Sequence, residues 1–281
     1  MRPPVLDLAD LAARIPDGTL VSVAKEPNAP MALARELIRK GTKDLHLVTA
    51  PTAGVFADAL IGGGCVRIVE TSGVSLGEFG PAPFFAEAVK AGRVEIRDAT
   101  CPAVYTGLQA AEKGIPFMPI RGIIGSDILA NRPDWKVIDN PFREPGETPG
   151  DPIVLIPAIR PDFAVVHVSE ADRFGNAWIG GRHELKTMAH AARCTLVTAE
   201  RIVEGDLRED EAKSANLITP IYVEALAEAP GGAWPLACPP DYALDAGAVR
   251  AYASAARQSA RSGGGEEWLR VLTPGHAEAA E

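Results

Sequence analysis

The sequence predicts an α/β fold, an open, largely parallel sheet with helices on both faces, in a single domain over residues 1–281. Three observations predict it. Short apolar runs rich in β-branched residues alternate with stretches of near-helical apolar spacing. Glycine and proline stand at the junctions between these stretches and not in tracts. The connections are short, and strand–helix–strand units joined in this way cross over right-handed into parallel pairs.

Each element follows from local pattern. Leu6, Leu8, Leu11, Ala12 and Ile15 recur at near-helical spacing until Pro16-Asp17-Gly18 stops them. Residues 19–24 read as a buried strand. Pro30 opens a helix with Leu33, Leu37 and Ile38 on one face and Gly41 past its end. Strands are expected over 44–49, 65–70 and 94–97. Helices are expected over 53–60, 83–91 and 102–113, closed by Gly62-Gly63-Gly64, Gly92 and Gly114.

Residues 130–152 break the rhythm and read as a surface excursion. Beyond it, 153–156 and 163–168 are apolar strand patterns, and Asp172-Arg173-Phe174-Gly175 is a hairpin turn into 176–179. Strand patterns on both sides of the excursion suit one sheet. A helix over 183–192 and a strand over 195–198 follow. Helices over 246–257 and 266–272 close the pattern, with a frayed tail at 274–281.

Composition excludes several classes. The 28 Lys and Arg against 37 Asp and Glu give a net charge of −9, which disfavours bulk nucleic-acid binding but leaves room for a local anion site. No uncharged apolar stretch approaches the ~20 residues of a membrane span. Asp7 and Asp10 interrupt what a signal peptide would need to be apolar, so a cytoplasmic location is expected. Cysteines 65, 101, 194 and 238 form no CxxC pair and read as buried free thiols in a reducing compartment. His183 and His190 could share a helix face, but no third ligand is evident and no metal is expected. There is no G-x-S-x-G elbow and no Walker A sequence, and Gly62-Gly63-Gly64 follows a helix where a dinucleotide fingerprint follows a strand.

Two acids and a thiol invite a chemical reading. Glu170 follows a buried strand, where it could line a crevice at the strand's carboxyl end or stand as a solvated loop acid. Cys101 has no histidine beside it in sequence and reads as a buried structural thiol more readily than as a nucleophile. Asp98 is the acid nearest to it.

Several segments together carry a resemblance. They are Asp17-Gly-Thr-Leu-Val21, residues 30–41 (PMALARELIRKG), Asp44-Leu-His-Leu-Val48, Gly114-Ile-Pro-Phe-Met-Pro119, Gly125-Ser-Asp127, Ile138-Asp-Asn-Pro-Phe142, residues 162–167 (DFAVVH), Asp172-Arg-Phe-Gly-Asn176 and residues 195–202 (TLVTAERI). In this order they resemble the α (A) subunit of family I coenzyme A transferases, of the glutaconate CoA-transferase A type, over about residues 7–257.

The resemblance implies transfer of CoA between carboxylic acids through a glutamyl-CoA thioester. It implies that the glutamate nucleophile belongs to a β (B) partner subunit, that no catalytic residue of this chain is assigned by motif, and that the α chain forms a wall of the acyl pocket. A CoA thioester is then substrate, a carboxylic acid is co-substrate, and no cofactor is held permanently. On that wall, Ser72 and Gly73 in Thr71-Ser-Gly-Val-Ser75 resemble the segment whose serine faces the acyl carboxylate, although Ser72 could merely turn the chain. Gly125 and Ser126 are a second candidate pair, with a helix cap before Ile128 as the other reading. Arg121 could pair with a substrate carboxylate or stand on the surface.

Two departures bear on activity. Ser22-Val23-Ala24-Lys25 stands where many relatives carry a glycine pair, so Val23 and Lys25 are expected to narrow or charge that space. Residues 98–102 contain no glutamate, whereas the related ring-opening hydrolases use one from the corresponding chain. The missing glutamate weakens the hydrolase reading without excluding it, and the departures motivate a non-catalytic one, so two alternative functions stand beside the transferase. One is part of a CoA-thioester ring-opening hydrolase, and the other is a non-catalytic metabolite-binding or assembly role.

Overall fold

The computed structural model describes residues 2–142, 150–262 and 265–274. The principal sheet takes its strands in the order β1 (Val5–Leu6), β13 (Val223–Glu228), β11 (Cys194–Val203), β9 (Phe163–Asp172), β2 (Leu20–Ala24), β3 (Leu45–Ala50), β4 (Val66–Thr71), β5 (Glu95–Asp98). Every neighbouring pair on that path is parallel. A short hairpin strand β10 (Ala177–Trp178) pairs antiparallel with β9 and with β12 (Leu217–Ile218). β3 is buried along its whole length, as a strand covered on both faces must be.

Helices cover both faces. One apolar cluster packs α1 (Leu8–Ala13), α2 (Met31–Lys40), α3 (Val55–Gly62), α4 (Pro83–Lys90), α8 (Ala246–Ser262) and α9 (Glu267–Val271) through Leu11, Leu33, Phe56, Phe84, Tyr252 and Trp268. The other packs α5 (Cys101–Glu112) and α7 (His183–Ala191) through Val104, Leu108, Leu185 and Met188. The helix ends obey local chemistry. Asp7 caps α1 by accepting from Asp10 N at 2.7 Å, Thr100 caps α5 by accepting from Ala103 N at 3.3 Å, and Gly41 ends α2 with φ 74°. Gly62 sits so close to Phe84 that an added Cβ would lie 2.5 Å from the ring, which fixes the α3–α4 approach.

Of the strands beyond the excursion, β9 lies in the principal sheet and β8 (Pro152–Pro157) does not. β8 pairs antiparallel with β6 (Phe117–Ile120) and β7 (Lys136–Asp139) in a separate three-stranded sheet, because Val154 and Ile156 turn inward onto α5. β7 forms within the predicted excursion, whose residues 143–149 lie outside the described residues, as do 275–281 of the predicted tail. β1, β6, β7, β12 and β13 are additions to the strands read from sequence.

The topology positions the site. From β2 the chain winds outward through β3, β4 and β5, and from β9 it winds the other way through β11 and β13. The reversal falls between β2 and β9, and open α/β sheets place ligands at the carboxyl ends of strands at such a point.

Candidate active site

At that reversal lies a cavity of about 530 Å³. It is lined by Pro27 and Asn28 from the loop after β2, Ser169 of β9, Trp178 of β10, Gly180, Gly181 and Arg182 ahead of α7, and Pro239 and Pro240. The loop after β2 is pinned from three sides. The Arg182 guanidinium donates to the carbonyls of Lys25, at 2.7 Å, and Pro27. Asn28 holds φ 64° and donates through its backbone N–H to Ala237 O at 2.8 Å and through Nδ2 to Cys238 Sγ at 3.2 Å. Glu26 Oε1 accepts from Val55 N at 3.0 Å, where a carboxylate satisfies an orphan amide at the α3 N-terminus. Its Oε2 is buried with no hydrogen-bond partner among the described residues. A Cβ on Gly54 would lie 2.0 Å from Oε1, so the Glu26 cap requires glycine there.

This geometry corrects one sequence expectation. Val23 does not narrow the crevice, because it is fully buried in the helix-covered core. Lys25 stands at the strand end, half-buried, in the place where charge was expected.

Behind the crevice, Glu200 of β11 gathers a buried network. Its carboxylate accepts from His167 Nε2 at 2.7 Å, Tyr242 Oη at 2.5 Å, Gly231 N at 2.7 Å and Gly232 N at 3.1 Å. An ionised carboxylate only accepts, so the His167 proton on this side is on Nε2. Burial pushes the Glu200 pKa up, but the bonds from His167, Tyr242 and Gly231 outweigh it and hold the carboxyl below its usual range. Burial, then the charges of Glu200 and Asp241, push the Cys238 thiol up to about 12. His167, Glu200 and Cys238 bring potential ligand atoms within 4.8 Å of one another. Those atoms already bond to protein groups, which makes the cluster a strut for the loop carrying Pro239 and Pro240.

Ser72 and Gly73 stand at the carboxyl end of β4, two strands from the reversal. Ser72 Oγ donates to Pro51 O at 2.9 Å and lies 3.0 Å from Cys101 Sγ, while a Cβ on Gly73 would meet nothing within 4 Å. Cys101 is exposed at the first turn of α5, which corrects its reading as a buried thiol. Cys65 and Cys238 are buried as expected, and Cys194 is half-buried.

Glu170 is neither free nor a loop acid. It lies in β9 and pairs with Arg201 at 2.7 Å and with Lys213. Burial raises its pKa, but the hydrogen bonds from Lys213 and Arg201 prevail and lower it. Arg121 follows β6, is mostly exposed, and pairs with Asp151 at 2.5 Å. Gly125, with φ 82°, and Ser126 form the turn before α6 (Ile128–Asn131). The N-cap there is Asp127, without a side-chain bond, and Ser126 Oγ is buried and unpartnered among the described residues. His183 begins α7, while His190 near its end stacks on Tyr222 at 3.9 Å and faces Glu112 at 3.4 Å. The Glu200 network escaped sequence reading because its members, residues 167, 200, 231, 232 and 242, meet only through the β9–β11 pairing and the loop after β13. The available signal was that 162–167 and 195–202 both belong to the resembling segments.

A family model for coenzyme A transferase matches residues 5–229. The A-type subunit of 3-oxoadipate CoA-transferase from Pseudomonas knackmussii is 34% identical over 211 residues, 73% of this chain and 71% of that protein. The IpdA subunit of the cholesterol ring-cleaving hydrolase from Mycobacterium tuberculosis is 33% identical over 264 residues, 89% of this chain and 87% of that protein. The crystal structure of glutaconate coenzyme A-transferase from Acidaminococcus fermentans superposes with a TM-score of 0.82 at 25% identity, covering 96% of this chain and 93% of that one.

Proposed function

The chain belongs to the coenzyme A transferase family, among its A-type subunits, and on that premise we propose that it is the α half of a heteromeric acyl-CoA:carboxylate CoA-transferase of the cytoplasm. Its partner is a B-type subunit, and its substrates are a CoA thioester and a small carboxylic acid. In this reading residues 1–281 act as one unit that walls the acyl pocket.

The observation that carries the reading is the state of the carboxylates at the central strand ends. Glu170 is paired with Arg201 and Lys213, Glu200 is saturated by four donors, and Glu26 caps α3 with its second oxygen buried. A nucleophilic carboxylate must be open to a thioester carbonyl, and these are committed elsewhere. This agrees with what the likeness to A-type subunits implies, a nucleophilic glutamate supplied by the partner. That carboxylate adds to the donor thioester carbonyl and expels CoA thiolate, leaving an acyl–glutamyl anhydride. The thiolate attacks the glutamyl carbonyl, forming glutamyl-CoA and releasing the donor acid. The same steps in reverse load the acceptor acid.

This chain contributes position. Arg182, Glu26 and the Glu200 strut hold the loops around the cavity, and Ser72 stands two strands away at the end of β4. CoA exchange between a short-chain CoA thioester and a carboxylate tests the proposal. The complex with the B-type subunit exchanges CoA, and the isolated chain does not. Full exchange by the isolated chain overturns it.

The extent of the match to the ring-cleaving hydrolase supports a second reading, hydrolysis of a cyclic CoA thioester on the same scaffold. It predicts solvent oxygen in the product without an acceptor acid. Strict dependence on an acceptor rejects it.

A further inference from the structure

A second cavity, of about 340 Å³, lies between the principal sheet and the three-stranded sheet, lined by His46 of β3, Glu70 of β4, Arg97 of β5, and Arg132, Asp134 and Trp135 after α6. Ile156 and Ile159 add apolar wall, and Arg160 lines it from an exposed position. It belongs to neither the crevice nor the Glu200 network.

Its buried charges are balanced among themselves. Arg132, 5% exposed, donates to Glu70 Oε1 at 2.8 Å, Asp134 Oδ2 at 2.9 Å and Asp98 O at 3.2 Å. Its guanidinium stacks 4.1 Å over the Trp135 ring and fixes that ring in place. Two nitrogens are left over. Trp135 Nε1 and His46 Nε2 are buried without a hydrogen-bond partner among the described residues, on side chains 6% and 8% exposed. His46 Nε2 approaches Glu70 Oε2 only to 3.5 Å. An indole N–H can only donate, and a buried donor left unmade carries its full desolvation cost. Arg160 makes no ion pair among the described residues, and Arg97 has only a loose, exposed pair with Glu95 at 3.4 Å.

The unmet Trp135 donor, two arginines with charge to spare and a short apolar wall together define an acceptor-only ligand with a small hydrocarbon tail. We propose that this cavity binds a small organic carboxylate, separately from the acyl-CoA crevice. The carboxylate accepts from the Trp135 indole and the arginines, and its tail lies against Ile156 and Ile159. Inorganic phosphate offers acceptors but no tail and binds more weakly.

Indole ¹H–¹⁵N spectra of the full chain, titrated with sodium butyrate at constant ionic strength, test this. The Trp135 resonance, assigned by its loss in Trp135→Phe, moves downfield and saturates with a Kd on the order of 1 mM. Arg160→Ala, at an exposed position, weakens that Kd about tenfold and leaves the other indole resonances in place. A Trp135 resonance that does not move overturns the proposal. So does a shift that sodium chloride or phosphate reproduces equally, or a saturable shift confined to Trp178 in the crevice. The readout involves no CoA transfer, so its failure leaves the proposed function standing.

Discussion

The Ser72 hydroxyl and the Cys101 thiol are 3.0 Å apart across the carboxyl ends of β4 and β5. Ser72 has one proton, and it is donated to Pro51 O at 2.9 Å. The thiol is therefore the donor of the pair, and Ser72 accepts. The contact ties the first turn of α5 to the strand end that carries Gly73.

Exposure separates Cys101 from the other thiols. Burial pushes Cys65 up to about 11 and Cys238 up to about 12, which leaves little thiolate at neutral pH. Iodoacetamide at pH 7.5 is expected to alkylate Cys101 first, with Cys65 and Cys238 reacting only after unfolding. Peptide mass spectrometry over time checks the order, and early labelling of Cys238 contradicts it.

Replacing Ser72 by Ala removes the bond to Pro51 O and the acceptor for Cys101 while leaving the strand end in place. A Ser72 hydroxyl turned from Pro51 O toward a substrate carboxylate gives it one hydrogen bond, worth about 1 kcal/mol. In the reconstituted complex, KM for the acyl substrate is expected to rise about fivefold with kcat little changed, which steady-state kinetics would read directly. An unchanged KM removes Ser72 from the acyl wall.

Glu200→Gln leaves His167, Tyr242, Gly231 and Gly232 competing for one neutral oxygen in a buried site. The expected loss is about 3 kcal/mol in urea unfolding. Glu200 has a depressed folded pKa, so its contribution is present above the unfolded carboxyl pKa and disappears as pH falls through the folded one. The variant should therefore show a flatter acid limb of stability than the parent chain.

Asp58 runs the other way. It is buried in α3, accepts from Tyr252 Oη at 2.7 Å and Phe85 N at 2.8 Å, and burial raises its pKa to about 6 in spite of those bonds. A raised folded pKa stabilises fully below the unfolded value and loses that stabilisation as pH climbs through about 6. Unfolding free energy should fall by up to about 3 kcal/mol between pH 4 and pH 7 in the parent relative to Asp58→Asn. Parallel pH profiles for the two proteins would refute the assignment.

Gly54→Ala puts a methyl where Glu26 Oε1 sits, and so expels the α3 cap. A cost of about 1–2 kcal/mol is expected. The double variant with Glu26→Ala should cost less than the sum of the singles, because the collision and the lost cap are one event. Strict additivity in a double-mutant cycle would show that the two residues act separately.

Period and punctuation made most of the fold legible. Residues 30–41 showed a helix face in Leu33 and Leu37 and a stop at Gly41, and both hold because propensity and burial agree there. β6 was hidden because Pro119 interrupts its four apolar residues, and β7 because Lys136 and Asp139 leave it only two. The second sheet was hidden for a different reason. β8 has the composition of a central strand, and only its inward-facing Val154 and Ile156 decide which layer receives it. At the site, Ser72 and Gly73 were readable because they follow a strand. The reach of Arg182 to Lys25 O spans 157 residues, and no local pattern encodes it. Cys101 misled because a cysteine with no adjacent histidine reads as a buried thiol, whereas it opens α5 on a first turn exposed to solvent.

The central claim is that this chain holds half of an active site, and trapping the covalent intermediate tests it most directly. The complex is incubated with acyl-CoA radiolabelled in its CoA moiety, the enzyme–CoA thioester is isolated, and the labelled peptide is sequenced. All thioester-bound CoA is expected on a glutamate of the B-type subunit. CoA attached to Glu26, Glu170, Glu200 or any other glutamate of this chain would contradict it.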